Sequence, residues 1–351
     1  MSKVFVLLLG AYGLAVLPLG PQSVADTAKP PIPSDMLRSV GGLPAHIAGR
    51  FNDITVCRQS ADGTFYVFDR RSQAVFSVPA GADAPRELVH IGAETGSILQ
   101  PYAFDVGPDD TFVVADAPQN RGRLQVFVGT GGRLAGFALQ TQGLPVVIEG
   151  VTISGLASLA YNGRSIFISQ PSSGSLITER GLDGVSARAF GELRRTGHED
   201  DHDVHFGLNS GLVVLNPEGG FYFVFVAGVP MFRKYDVLGN LIFERHIEGA
   251  ELDDYMRNRP TTWVRRKTTA GEVPVIRPAV RAAAADASGS LWISLDVPYT
   301  YVYDRRGEKQ RVVQFRAAGV LTPNNLSFTK AGRLLATPGC FLFDAKAGFK
   351  Q

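Results

Sequence analysis

A short turn recurs six times along the chain, and an apolar strand follows it each time. The turns are Ala61-Asp62-Gly63, Pro108-Asp109-Asp110, Tyr161-Asn162-Gly163, Pro217-Glu218-Gly219, Ala287-Ser288-Gly289 and Lys330-Ala331-Gly332. Taking the last residue of each as an anchor, the spacings are 47, 53, 56, 70 and 43 residues. The following runs, such as FYVF after Gly63, FYFVF after Gly219 and LWIS after Gly289, lack the polar alternation of a half-buried strand. They need cover on both faces. Sheet-sized units at roughly 40–50 residues, each burying both faces against its neighbours, describe a β-propeller. A β-sandwich or an assortment of hairpins is the competing arrangement, and the regular recurrence weighs against it.

The unit from Leu99 to Leu139 shows the pattern best. Three β-rich runs, Ala103–Val106, Phe112–Ala115 and Leu124–Val128, are parted by turn residues, and Gly129 to Gly132 opens a fourth, Leu134–Leu139. Short strands joined by tight turns make one antiparallel sheet. After Phe341–Phe343 too little chain remains for a fourth strand. Leu37-Arg38-Ser39-Val40-Gly41 resembles Leu88-Val89-His90-Ile91-Gly92, the outer strand of the first full unit. The expectation is an all-β, six-bladed β-propeller closed by an N-terminal strand, Leu37–Gly41, that joins the last blade and removes open sheet edges.

Composition excludes several classes. With 45% hydrophobic and 19% charged residues over 351 positions, the chain has ample material for a core and is not disordered. The 35 basic and 33 acidic residues nearly cancel, which argues against a nucleic-acid partner drawn by long-range attraction. Two cysteines cannot supply a disulfide-rich scaffold or a four-thiolate zinc site. Lys3, the uncharged run Val4 to Gly20 and the small residues Ser23 and Ala25 follow the layout of a secretory signal peptide cut after Ala25. That predicts export to a periplasmic or extracellular space and a mature chain without a membrane span. Residues 26–35 read as a Pro-rich leader, and 36–351 as the propeller, with an insertion near 251–277.

Pro101 to Val106, then Thr111–Asp116, Asn120 and Arg123–Phe127, resemble an NHL repeat, with its Pro-led apolar strand, aromatic strand ending Ala-Asp, and Asn-Arg before the next strand. The resemblance extends to Thr322–Phe343 and Ala282–Tyr303 and is looser in the third and fourth units. It implies the six-bladed propeller shared by NHL proteins, gluconolactonase-like enzymes and strictosidine-synthase-like proteins, without choosing among their functions.

The loops that enter each inner strand share one face of a propeller with the loops between the two middle strands. Alignment on the anchors places Asn52, Asp53, Tyr102, Ser154, Gly155, Asn209, Ser210, Arg281 and Asn324 around a central mouth there. Asn52, Asp53, Asn209 and Asn324 offer oxygen donors for calcium. The related lactonase and arylesterase propellers hold calcium at such a site, so the resemblance implies a calcium-dependent hydrolase as an alternative. Turn capping by the same residues is the first reading and metal the second. His198, His202 and His205 in HEDDHDVH have offsets that would share a helix face and could ligate zinc, but the segment lacks an apolar stripe. A solvated acidic loop is the expectation. Asp69, Asp116 and Asp296 recur after the second strand of their units and read as structural first, as acid–base groups second.

The insertion carries Tyr255, Arg257, Arg259, Trp263, Arg265, Arg266 and Lys267. Forked guanidinium donors beside an aromatic face suit an anionic ligand or partner. Cys57 and Cys340 flank the ring closure, and their pairing stays open at this level. The leading expectation is therefore an exported propeller that binds a small-molecule or protein ligand through its loop face without turnover. The candidate contacts are Tyr102, Tyr255, Arg257, Trp263, Arg265 and Arg281.

Overall fold

The computed structural model describes residues 32–139, 146–148, 151–153, 158–268 and 271–347. The signal peptide with its cut after Ala25, most of the leader, and Ser154 and Gly155 lie outside the described residues. Among those described, no helix is long and apolar enough to cross a membrane.

The chain is all-β and repeats one unit. Ile54–Gln59, Phe65–Asp69, Ala74–Val78 and Arg86–Val89 form a four-stranded antiparallel meander. Equivalent meanders cover 103–138, 158–190, 211–246 and 280–316. The last unit has three strands, Asn325–Phe328, Leu334–Thr337 and Phe341–Phe343. The first strand of each unit lies beside the first strand of the next, and Asn325–Phe328 lies beside Ile54–Gln59. This is a multi-bladed β-propeller.

All six anchor positions of the sequence repeat sit in the left-handed region, with φ between +64° at Asp110 and +102° at Gly219. Glycine adopts that conformation without a Cβ clash, and Asp, which tolerates it, replaces glycine once. The repeat in the sequence is therefore a repeat of one backbone turn. The second strands behave as their composition demands. Phe65–Asp69, Phe112–Asp116, Phe221–Phe225 and Leu291–Leu295 are buried at every position. The core lies between sheets: Phe68 stacks on Phe104 across the first interface with ring centroids 5.4 Å apart, and Phe167 meets Phe221 at 4.9 Å across the third.

The N-terminal strand runs Ser34–Gly42 and serves two sheets. Ser39, Gly41 and Gly42 pair antiparallel with Phe341–Phe343, completing the last unit to four strands. Ser34 to Arg38 pair in parallel with 312–316 of the preceding unit. Leu37, expected within the last blade alone, is thus opposite Phe315 and packs among Val313, Phe315 and Phe343. Cys57 and Cys340 are joined, with Cα atoms 5.8 Å apart. The first strand of the first unit lies beside the strand Leu334–Thr337 that leads to Cys340, which brings the two thiols level.

Two connections depart from the repeat. The insertion after His246 holds the helix Asp253–Arg257 and a hairpin, Arg265–Thr268 with Gly271–Ile276. The connection between the second and third units holds a second hairpin, Val146–Ile148 with Val151–Ile153, absent from the sequence reading. Val147 and Ile148 pair in parallel with Val275 and Ile276, so two distant connections make one accessory sheet. Beside that sheet stands the helix His202–Leu208, which corrects the expectation of a solvated loop for HEDDHDVH. Asp201 accepts from the Val204 N–H and caps it, and Val204 and Leu208 bury against Val226, Ala227 and Ile276. The apolar stripe is Val204 with Leu208, one turn apart, and only Val204 lies inside the motif, so a reading of the motif alone does not see it.

A candidate anion pocket beside the fourth sheet

A cavity of about 360 Å³ opens where three loops converge on the outer half of the fourth sheet. One loop is 194–198, which follows the third sheet; the second is 228–229, between the middle strands of the fourth; the third is 259–263 of the insertion. Strands Met231–Tyr235 and Leu241–His246 complete it. Its charge is one-sided. Arg194, Arg195, Arg233, Arg259, His198 and His246 line it against a single carboxylate, Glu244. Glu244 is already committed to Arg233, at 2.6 Å from Nε.

Arg194 is the central group. Its Nη1 donates to the Val229 carbonyl at 2.7 Å, and Nη2 donates to the carbonyls of Leu208 and Ala227 at 2.5 Å each. The guanidinium lies 4.2 Å from the centroid of the Phe225 ring. Gly228 makes this seat: its φ is +76°, and a Cβ there would stand 2.8 Å from Nη2 of Arg194. Among the described residues no carboxylate comes within ion-pair distance of Arg194. Burial, reinforced by the nearby Arg233 charge, lowers its pKa from 12.5 to about 10. Three carbonyls supply partial negative charge but no counter-ion, so the site holds a guanidinium that a ligand anion would neutralise.

Trp263 forms a wall, with the His198 ring set edge-on at 4.6 Å and 87°. Leu208, Val229 and Met231 supply the apolar floor. A smaller cavity of about 130 Å³ shares Val229 and His246 with the first.

Of the ligand contacts expected from sequence, Trp263 is in the cavity and the others are not. Tyr255 is buried beneath it, its hydroxyl donating to the carbonyls of Gly228 and Arg277 at 3.2 and 3.3 Å. It fixes the insertion helix to the loop that carries Gly228. Arg257 is exposed at the end of that helix. Arg265 is turned to Asp201 and Asp203, at 2.7 and 3.3 Å, tying the accessory hairpin to the cap of helix 202–208. Arg281 pairs with Asp296 at 2.8 Å. Tyr102 packs between the second and third sheets, its buried hydroxyl without a partner among the described residues and its pKa pushed up by burial.

The expected metal donors are spent locally. Asn209 is fully buried, a correction to its placement at the mouth: its Oδ1 accepts from the Arg194 N–H at 2.8 Å, and its Nδ2 donates to the carbonyls of His205 and Arg194. Asn52 donates from Nδ2 to Ser72 at 2.8 Å, and Asp53 pairs with Arg70 at 3.0 Å. Asn324 accepts from the Thr337 hydroxyl through Oδ1. The described residues hold no cluster of three or more His, Cys, Asp or Glu suited to a metal ion. His205 hydrogen-bonds Thr196 at 2.8 Å through Nδ1, and burial lowers its pKa.

The recurring aspartates explain themselves. Asp69 accepts from the N–H groups of Asn52 and Asp53 at 2.7 and 3.1 Å, and Asp116 from that of Leu99 at 2.9 Å. Each ties the end of a second strand to the loop entering the same sheet. Asp296 instead takes Arg281 and, at 3.6 Å, Arg277.

Sequence reading passed over Arg194 and Arg233. The only signal for Arg194 was its place in the doublet Arg194-Arg195 within an ordinary connection, which nothing in the chain ties to Trp263, 69 positions later.

No protein-family model matches the chain, and no curated protein matches it. Solved structures do. A catalytically inactive virginiamycin B lyase from Staphylococcus aureus, with quinupristin, aligns at 10% identity over 80% of this chain and 76% of its own, with a TM-score of 0.49. A streptogramin B lyase structure aligns at 14% identity over 86% and 94%, with a TM-score of 0.48. A Bacteroides caccae protein of unknown function aligns at 11% identity over 74% and 81%, with a TM-score of 0.46. At these scores the alignments carry no argument about what this chain does.

Proposed function

We propose that the protein is an exported six-bladed propeller, closed by its N-terminal strand, that binds a small anion in the cavity around Arg194 without turning it over. The observation that carries this reading is a largely buried guanidinium, without a carboxylate partner among the described residues, lining a cavity rich in further cations. The disulfide and the signal-like N-terminus support export, since such a bond persists in oxidising compartments. Strand 34–42, paired on both sides, and the run of neighbouring inner strands support a closed ring of NHL type. The calcium-dependent hydrolase draws no support from Asn52, Asp53, Asn209 and Asn324, whose side chains already serve protein partners.

Charge recognition is tested with phenylacetate and its uncharged isostere phenylacetamide. Trp263 is one of two tryptophans and the other, Trp292, is buried, so emission reports occupancy. A hydrogen bond to a charged group is worth about 1.5–3 kcal/mol. The amide should therefore bind on the order of 10- to 100-fold more weakly, and Arg194→Met should lose a similar factor for the carboxylate alone. Equal binding of acid and amide would sink the proposal.

The pH dependence has a definite sign. The anion binds the protonated guanidinium, whose pKa burial lowers to about 10 in the empty site. Affinity for phenylacetate should stay level from about pH 7 to 9, then fall by roughly tenfold per unit above 10 until the higher pKa of the occupied site is reached. Isothermal titration across that range checks it.

A further inference from the structure

Resting on the anion-binding reading, we infer that the ligand of this cavity is an aromatic carboxylate, its ring laid on Trp263 and its carboxylate bridging Arg194 and Arg259. Size is the first argument. An inorganic oxyanion or acetate would fill only a corner of about 360 Å³. The rest of the space is bounded by Leu208, Val229 and Met231, an apolar floor that gains nothing from water or bare charge. The ligand must bring apolar volume as well as charge.

Geometry gives that volume a shape. Trp263 lines the cavity, partly buried against the core around Val204 and Leu208 and set at 87° to the His198 ring with centroids 4.6 Å apart, so the indole is held as a fixed plane. Planar rings stack there in offset register, with a gain of orientation that a puckered ring does not share. The charged end is set by the same loops. Arg194 spends three donors on carbonyls and keeps two of its five N–H groups. Arg259, from the segment that presents Trp263, is exposed and has no partner among the described residues. One donor from each guanidinium can meet one of a carboxylate's two oxygens, as a charge-assisted hydrogen bond. Arg195, Arg233, His198 and His246 also face the space, and Glu244 is the sole opposing charge, held by Arg233.

Three carboxylates of equal charge separate ring from charge: phenylacetate, cyclohexylacetate and acetate. Phenylacetate is expected to bind about ten-fold more tightly than cyclohexylacetate, and acetate more weakly than both. Trp263→Leu should erase the phenyl preference while leaving acetate binding within about two-fold. Arg259→Gln should weaken all three alike. Equal affinity for the phenyl and cyclohexyl acids overturns the inference, and so does a phenyl preference that survives Trp263→Leu. Binding of all three with no ring preference leaves the anion site standing and removes only the aromatic assignment. Failure of all three to bind removes both.

Discussion

Cys340→Ser is expected to lower the free energy of unfolding by about 2–5 kcal/mol, and reduction of the unaltered protein should do the same. Cys57 and Cys340 are separated by 283 residues, so the bond closes nearly the whole folded chain into one loop. Loop-closure entropy in the unfolded state grows with the logarithm of loop length, and a loop of this size stands near the upper end, on the order of 5 kcal/mol. The bond also joins the first strand of the first unit to the last unit, the junction where the ring depends on contacts between chain ends. Strand 34–42 acts on the same junction from the other side, so the folded state survives reduction while its margin shrinks. Denaturant titration with and without reductant measures the effect. A midpoint that does not move shows that the bond contributes nothing to closure. The anion cavity, built from residues 194–263, contains neither cysteine, so binding in dilute buffer should be unchanged.

Asp116→Ala should cost about 3–5 kcal/mol, far more than loss of an exposed pair such as Arg305 with Glu218. Asp116 is fully buried and accepts from Arg123 through Nε and Nη2 at 2.8 and 2.9 Å, and from the Leu99 N–H at 2.9 Å. Arg123 reaches on to the carbonyls of Ala93 and Ser97. Alanine leaves a mostly buried guanidinium without its counter-charge and an N–H without its acceptor. Both penalties fall at one junction, where the second sheet meets the connection from the first. Denaturant unfolding of the variant checks the magnitude. A loss below 1 kcal/mol would show that the pair only balances its own desolvation. The same experiment separates the two roles that sequence allows for this aspartate, since a group so enclosed cannot reach a substrate.

Much of the fold was legible because the propeller repeats one backbone turn. A left-handed position every 40 to 70 residues needs glycine or a tolerant residue, and Gly63, Asp110, Gly163, Gly219, Gly289 and Gly332 mark it. Strands buried on both faces must lack polar alternation, which is why FYFVF could be read correctly. The N-terminal strand was legible as a partner for the last unit. Its parallel pairing with 312–316 was not, because pairing with a second sheet leaves no separate mark in a nine-residue strand.

The site was legible only in part, and the reason is distance along the chain. Alignment on the repeat drew attention to the central axis and to Tyr102 and Arg281, which belong to packing and to an internal ion pair. Trp263 was found because it sits in a visibly irregular insertion. The helix 202–208 was hidden because its cap lies inside an acidic run and its apolar face begins after it.

Local chemistry alone settled the all-β class, the repeating turn and the double-sided burial, since each depends on neighbours a few residues away or on the repeat itself. Tertiary structure decided that Arg194 is desolvated without a counter-ion among the described residues, that Gly228 leaves room for it, and that Trp263 lines the same cavity. Those are properties of three loops meeting in space. A guanidinium acquires them from what surrounds it, and nothing in its own stretch of chain records that.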